Sequence, residues 1–265
     1  MHYLILACTA LWSGRFVSVY RRNLLVWRKL ATASLLGNVA DPLITLMAFG
    51  YGIGQWIREI DTVPYIVFLS AGSICMSTMM AASFESLYSA FSRMQAQRTW
   101  ESIMNAPLEL ADVLTAEWLW AATKSVFSGV AILLVILLLG VSHSPKLLLV
   151  LPLVGLIGLL FAAVGLCINA LAKGYDFFSY YFTLVLTPMV FVCGVYYPMT
   201  GLPDWLAAIA QWLPLSAAVE LVRPLVLDQW PSSAVRHLLV LITYTVVAFA
   251  LAQYLTHRRF KMLQA

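Results

Sequence analysis

The sequence predicts an all-α polytopic membrane protein with six transmembrane helices, an N-terminal amphipathic interfacial helix and a re-entrant helical hairpin before the last span. Three observations carry this prediction. Of 265 residues, 62% are apolar and only 11% are charged, whereas a soluble domain averages about 45–50% apolar and about 25% charged. Mean hydropathy is +0.87, more apolar surface than one aqueous core can hide. Nine Trp, twelve Tyr and thirteen Phe supply aromatic belts of the kind that form where spans meet headgroups. At ~20 residues per span, the chain has room for about six.

Residues 1–12 are apolar and include Cys8 in a setting similar to a lipoprotein cleavage site. A secretory signal carries its positive charge ahead of the apolar run. Here Arg15, Arg21 and Arg22 follow it, so no leader is expected. Residues 12–29 are too charged to span. Trp12, Phe16, Tyr20, Leu24 and Trp27 recur at helical spacing on one face, with Arg15, Ser18, Arg22 and Lys29 on another. This is the pattern of a helix lying in the interface with its arginines near anionic headgroups. Two roles fit it: an orientation anchor, or a collar that receives a lipid-linked, acidic or phosphorylated substrate.

Apolar stretches at 30–54, 64–84, 118–140, 147–171, 177–197 and 234–255 are the six expected spans. With a cytoplasmic N-terminus, twelve of the Lys and Arg residues fall on the cytoplasmic side and only Arg58, Lys146, Arg223 and Arg236 on the other. That asymmetry places both termini in the cytoplasm. In the first span Asn38 and Asp41 are polar, and an intramembrane carboxylate is a functional candidate by default. Asp41 directly precedes Pro42, so capping a broken helix is the structural alternative. Glu85 lies at the cytoplasmic end of span two, within reach of water. Glycines at 50, 52, 54, 155, 158 and 165 read as packing seams, and Pro188 kinks span five.

The cytoplasmic segment 93–105 is polar and free of Pro and Gly, and Ala106-Pro107 ends it. Arg98 and Glu101 sit close enough on a helix to pair. Apolar Met94, Trp100, Ile103 and Met104 suit either docking into a groove on another protein or resting on the membrane. The external segment 198–231 holds two apolar helical pieces, each too short to span, with Trp205, Trp212 and Trp230 as interface anchors. The economical geometry is a hairpin dipping into the outer leaflet, tolerated only where protein or water satisfies the backbone. Glu220 and Arg223 lie three apart, a mutual pair or else direct contacts to a substrate.

Much chemistry is absent. The chain has no Walker-type loop for ATP phosphates, no CxxC among its four cysteines and no HExxH. No catalytic site, cofactor site or metal site is therefore assigned. A net charge of +4 is explained by membrane topology and does not indicate nucleic acid.

The order of these features resembles the membrane subunit of an ABC-2 (type V) exporter. The most specific stretch is 191–223, with Gly194-x-x-Tyr197-Pro198, Leu202-Pro203-Asp204-Trp205 and Leu213-Pro214-Leu215-Ser216. The segments Asn38-Val39-Ala40-Asp41-Pro42, Val63-Pro64-Tyr65-Ile66, Phe91–Glu101 and Trp120-Ala121-Ala122-Thr123-Lys124 are similar to the nodulation-type lipooligosaccharide exporter permeases (NodJ-like). The resemblance covers about the whole chain from residue 15 onward, and it implies that residues 1–265 form a single ABC-2 transmembrane domain.

It implies a half-transporter in a bacterial inner membrane: two copies of this chain with two cytosolic ABC ATPase subunits, which carry the ATP and Mg. Segment 93–105 becomes the coupling helix, with Arg93, Gln97, Arg98, Trp100 and Glu101 at the ATPase. Asn38, Asp41 and Glu85 are the polar path candidates. Trp205, Trp212, Glu220 and Arg223 are candidates for the outer gate. The implied cargo is a lipooligosaccharide or related glycolipid, with a hydrophobic drug or polyketide as the alternative. A membrane lipid-modifying enzyme is the rival from a different class; it would turn over substrate without an ATPase.

Overall fold

The computed structural model describes residues 9–10, 12–29, 31–57, 59–60 and 62–264. Cys8 and Arg58 lie outside the described residues, as do the side chains of Asn38 and Asp41. Helix α1 is Phe16–Arg28. Helix α2, Ala31–Thr45, runs on through a π-helical turn, Leu46–Gly52, and a 3₁₀ turn, Ile53–Gln55. A two-residue antiparallel ribbon pairs Glu59–Ile60 with Val63–Pro64. Helix α3, Tyr65–Phe84, is extended by π-helical turns at Glu85–Ser89 and Ser92–Ala96. Then follow α4 (Thr99–Met104), α5 (Leu110–Leu138) and α6 (Leu147–Leu171). Next come α7 (Asp176–Tyr181), a π-helical turn at Phe182–Leu186 and α8 (Thr187–Val192). The hairpin pieces are α9 (Asp204–Ala210) and α10 (Pro214–Val226), and α11 is Ala234–Gln264.

Among the described residues, four helices are long and apolar enough to cross a membrane: Tyr65–Ala96, Leu110–Leu138, Leu147–Leu171 and Ala234–Met262. The pair α9 and α10, bent by 84°, makes a fifth candidate if counted as one span. The runs Leu43–Gln55 and Asp176–Val192 are shorter apolar helices. The chain is thus an all-α polytopic membrane protein.

Several boundaries differ from the sequence expectation: the last helix runs to Gln264 rather than ending near 255, the run expected at 177–197 ends at Val192, and two further shifts have a clear cause. The second span continues past Phe84 to Ala96, because nothing between them is Pro or Gly. It stops only at Arg98, whose φ of 48° is left-handed. The third begins at Leu110 rather than near 118, where the Glu109 backbone N–H donates to Asp112 Oδ2 at 3.0 Å. That bond satisfies a donor beside the helix start.

The core is the packing of α3, α5 and α6, with α11 lying along α6. Two expected glycine seams form here. Gly158 faces Ser125 of α5, and Gly165 faces Ser86 in the π turn of α3. Such turns loosen the regular backbone ladder, and Asn169 Nδ2 donates to the Ser86 carbonyl at 2.9 Å. Arg259 of α11 donates to the carbonyls of Asn169, Ala170 and Ala172 at 2.9, 3.2 and 2.7 Å. It thereby caps the end of α6. At the opposite end, Ser142 Oγ donates to the Val226 carbonyl at 2.7 Å, joining the α5–α6 loop to the hairpin. Cys75, Cys167 and Cys193 are buried free thiols.

Helix α1 turns part of its aromatic face toward protein. Tyr20 Oη lies 3.0 Å from Thr123 Oγ1, and Trp27 stacks on Phe127 with centroids 5.0 Å apart. Val19 and Asn23 are buried, while Trp12 is exposed. Pro188 lies in the first turn of α8, where the π turn resolves into a new helix; its missing N–H is tolerated at that position.

Candidate functional site

The extended end of α3 brings charged side chains together inside the protein. Glu85 and Arg93 belong to its two π-helical turns, a backbone form that recurs at functional sites. Arg93 Nη2 donates to Glu85 Oε1 at 2.9 Å. Across the helix seam, Glu117 of α5 receives Arg93 Nε at 2.9 Å and Arg93 Nη2 at 2.5 Å, a two-pronged pairing. Trp120 Nε1 donates to Glu85 at 2.9 Å, and Trp100 Nε1 of α4 donates to Glu117 at 3.2 Å. Lys124 Nζ completes the set, 3.5 Å from Glu85 Oε2 and 3.4 Å from Ser34 Oγ of α2.

Two carboxylates and two cations make a formally neutral cluster. Burying such ions costs several kcal/mol apiece and is tolerable only when partners are close and lone pairs are filled. Here both carboxylates accept from an indole as well as from Arg93. Four elements, α2, α3, α4 and α5, meet at this one cluster.

Beside the cluster is a cleft of about 400 Å³, walled by α1, the end of α3 and α5. Arg22, Asn23 and Trp27 face Glu85, Tyr88, Arg93 and Lys124 across it. A second cleft of about 320 Å³ shares Glu85, Tyr88, Ser89 and Lys124 and is lined further on by Met76, Met80 and Phe84, with Gly37 of α2. Both clefts set charged and polar groups beside apolar ones, and Ser77 and Ser128 also line the second next to Met76, Met80 and Phe84, a combination that suits an amphiphile. The Asn23 amide nitrogen and the Trp27 indole nitrogen are buried without a hydrogen-bond partner. Such orphans are costly, and they lie on the α1 side of the cleft. Among the described residues, no group of three or more His, Cys, Asp or Glu side chains is placed to hold a metal.

The structure sorts the residues singled out in the sequence. Of the coupling set, Gln97, Arg98 and Glu101 are exposed, while Trp100 is 1% exposed and Arg93 is held in the cluster. Arg93 and Trp100 therefore brace the segment from within. No ion pair joins Arg98 to Glu101. Glu85 is in the network, whereas Asn38 and Asp41 have side chains outside the described residues.

Arg22 lines the cleft, Arg21 is exposed, and Arg15 lies 3.8 Å from Glu109 at the surface. Trp205 and Trp212 are exposed at the hairpin. Arg223 donates to the Gly194 carbonyl and stacks over Phe68, 3.8 Å from the ring centroid. Glu220 and Arg223 form no ion pair.

Sequence reasoning missed Glu117, because the third span was started one residue after it. The available signal was Glu109-x-x-Asp112 just beyond Pro107, a helix-start spacing that moves Glu117 inside the helix.

A bundle of apolar helices, a short surface helix braced by buried charges and a bent apolar pair ahead of the last helix define a polytopic helical membrane protein. The sequence profile of the ABC-2 type transporter family matches residues 14–227. Nodulation protein J of Rhizobium leguminosarum bv. viciae is 44% identical over 244 residues, covering 92% of this chain and 94% of that protein. Nodulation protein J of Sinorhizobium fredii is 40% identical over 244 residues, covering 92% and 93%. The inner membrane transport permease YadH of Escherichia coli is 24% identical over 215 residues, covering 81% and 80%. The chain belongs to the ABC-2 type transporter family.

Proposed function

We propose that this chain is the membrane-spanning subunit of an ATP-driven exporter that moves a lipooligosaccharide or related glycolipid outward. Two copies would act with two cytosolic ABC ATPase subunits, which hold the ATP and Mg. The observation that carries this reading is similarity to Nodulation protein J along 92% of the chain. In this reading α2 and the run Asp176–Val192 complete six spans, both termini are cytoplasmic, and the membrane is a bacterial inner membrane.

Mechanically, the exposed face of segment 93–105, with Gln97, Arg98 and Glu101, meets the ATPase. Arg93 and Trp100 couple that face to Glu85 of α3 and Glu117 of α5. A displacement imposed on the segment then moves α3 and α5 as a unit, and these helices wall the cleft. ATP binding must favour one of two arrangements of this unit for transport to follow. The cleft suits the cargo: a sugar head beside Arg22 and Lys124, and an acyl tail against Met76, Met80 and Phe84. The hairpin with Trp205, Trp212, Glu220 and Arg223 forms the outer end of the route.

The test is ATP-dependent uptake of labelled lipooligosaccharide into inverted membrane vesicles containing the chain and its ATPase. Uptake that needs both subunits and ATP supports the proposal. Chemical conversion of the glycolipid by the purified chain alone would instead establish a lipid-modifying enzyme.

A further inference from the structure

A cleft larger than either of the two beside the charged cluster lies at the other end of the molecule. It has a volume of about 680 Å³ and sits between the hairpin turn at Gln211–Trp212, helix α10 and the first turns of α11. A smaller volume of about 240 Å³ shares Gln211, Ala217, Arg236 and His237 with it and adds Glu220. The order of side chains along α11 gives the cleft a direction. Arg236 and His237 stand in the first turn of the helix, while Val240 and Tyr244 line its continuation, about 12 Å further on for eight residues of helix. Tyr244 Oη donates to the Trp212 carbonyl at 2.9 Å, fastening the turn across the apolar end.

The depth is set by an indole. Trp230, just ahead of α11 at the mouth end, is exposed, and Lys146 lies 5.1 Å over its ring. An exposed indole of this kind marks the headgroup level. The polar mouth is therefore at the headgroups, and the slot points toward the hydrocarbon. Val235 and Leu239 on the rim are exposed, so the slot opens sideways to lipid. At the mouth, two cation-capable side chains share a volume with one carboxylate; among the described residues no ion pair within 4 Å engages Arg236 or Glu220, and the Arg223 guanidinium attracts the Glu220 carboxylate from further away.

We propose that this cleft binds one zwitterionic aminophospholipid of the adjacent leaflet. The phosphate lies on Arg236 and His237, the ammonium on Glu220, and an acyl chain runs along Val240 to Tyr244. A purely anionic headgroup meets repulsion from Glu220, and a quaternary ammonium has no N–H to donate to it. The charge pattern thus selects an aminophosphate. The bound lipid wedges the hairpin against the last helix, and the inference is independent of the exported cargo.

The experiment uses the chain purified in mild detergent, with any subunits that accompany it, from a host making no lipooligosaccharide. After delipidation it is offered phosphatidylethanolamine, phosphatidylglycerol, phosphatidylcholine, lipooligosaccharide or inorganic phosphate, and retained ligand is counted by native mass spectrometry. The expected result is one phosphatidylethanolamine per chain, preferred over the other lipids and not displaced by inorganic phosphate. Arg236→Ala lowers retention about tenfold, as loss of a charge-assisted bond should, and Arg236→Lys restores part of it. Glu220→Gln removes the preference over phosphatidylglycerol. Equal retention of all lipids, or wild-type retention by Arg236→Ala, overturns the proposal. Displacement by phosphate would reveal a simple anion site, and retention of lipooligosaccharide alone would reveal a cargo exit site; each overturns it as well.

Discussion

Glu117 is 1% exposed and accepts hydrogen bonds from Arg93 and from Trp100. Removing one member of such a cluster leaves the others buried and unpaired, at a cost of about 3–5 kcal/mol. Glu117→Leu is therefore expected to destabilise the protein by about that amount in chemical denaturation in mild detergent. Pairing it with Arg93→Met should recover much of the loss, since Glu85 and Lys124 still neutralise each other. A loss of under about 1 kcal/mol for the single variant would mean that the cluster is open to water and worth no more than a surface pair.

Gly72 makes a second prediction at this scale. A Cβ there would lie 2.5 Å from the Val195 carbonyl oxygen and 2.8 Å from its Cα. Backbone cannot rotate aside as a side chain can, so Gly72→Ala should cost about 1–3 kcal/mol through overpacking. Gly155, with nothing within 4 Å of its Cβ position, is the control, and its alanine variant should lose none of that stability in the same denaturation series.

Among the elements, the loop joining α5 to α6 and the turn after α10 meet at Asp228, whose backbone carbonyl accepts from Lys146 Nζ at 2.6 Å and whose exposed carboxylate adds two contacts. Ser144 Oγ donates to Asp228 Oδ1 at 2.8 Å, and Lys146 Nζ lies 3.2 Å from the same oxygen. These hydrogen bonds, chiefly that from Ser144, hold the Asp228 carboxyl below its ordinary value of 3.8. A lowered folded-state value means the contact stabilises fully above the ordinary value and is lost as pH falls through the lower one. Hydrogen exchange at residues 226–230 should accordingly stay flat from neutral pH to about 5 and rise only in stronger acid, after correction for the intrinsic pH dependence of exchange. In Asp228→Asn that acid step should disappear; an unchanged step would assign it to another group.

For the whole molecule, the exposed face of segment 93–105 is the surface on which an ATPase would act. Arg98 is exposed and touches none of the buried cluster, so Arg98→Glu should leave thermal stability unchanged while reducing co-purified ATPase. Its charge reversal across a protein interface should cost several kcal/mol of association. Glu117→Leu should do the opposite, lowering stability first and weakening association only as the segment loosens. Identical recovery of ATPase with wild type and Arg98→Glu would move the contact elsewhere on the protein.

The helical membrane fold was legible in the sequence because it follows from composition and run length, which act locally. Hydrocarbon forces each backbone group to bond within its own segment, so apolar runs such as 147–171 read directly as helices. The broken pair before the last helix was legible for the same reason, from Pro203, Pro214 and two runs too short to span. The pairings were not legible. Glu117 and Arg93 are 24 residues apart, and only the packing of α3 on α5 makes one the other's partner. Likewise Arg223 takes the Gly194 carbonyl and the Phe68 ring rather than Glu220, a choice that proximity in sequence would reverse. Local hydropathy determined which segments are helices, and tertiary packing decided which charges meet, because burial in low dielectric makes every ion depend on neighbours brought from elsewhere in the chain.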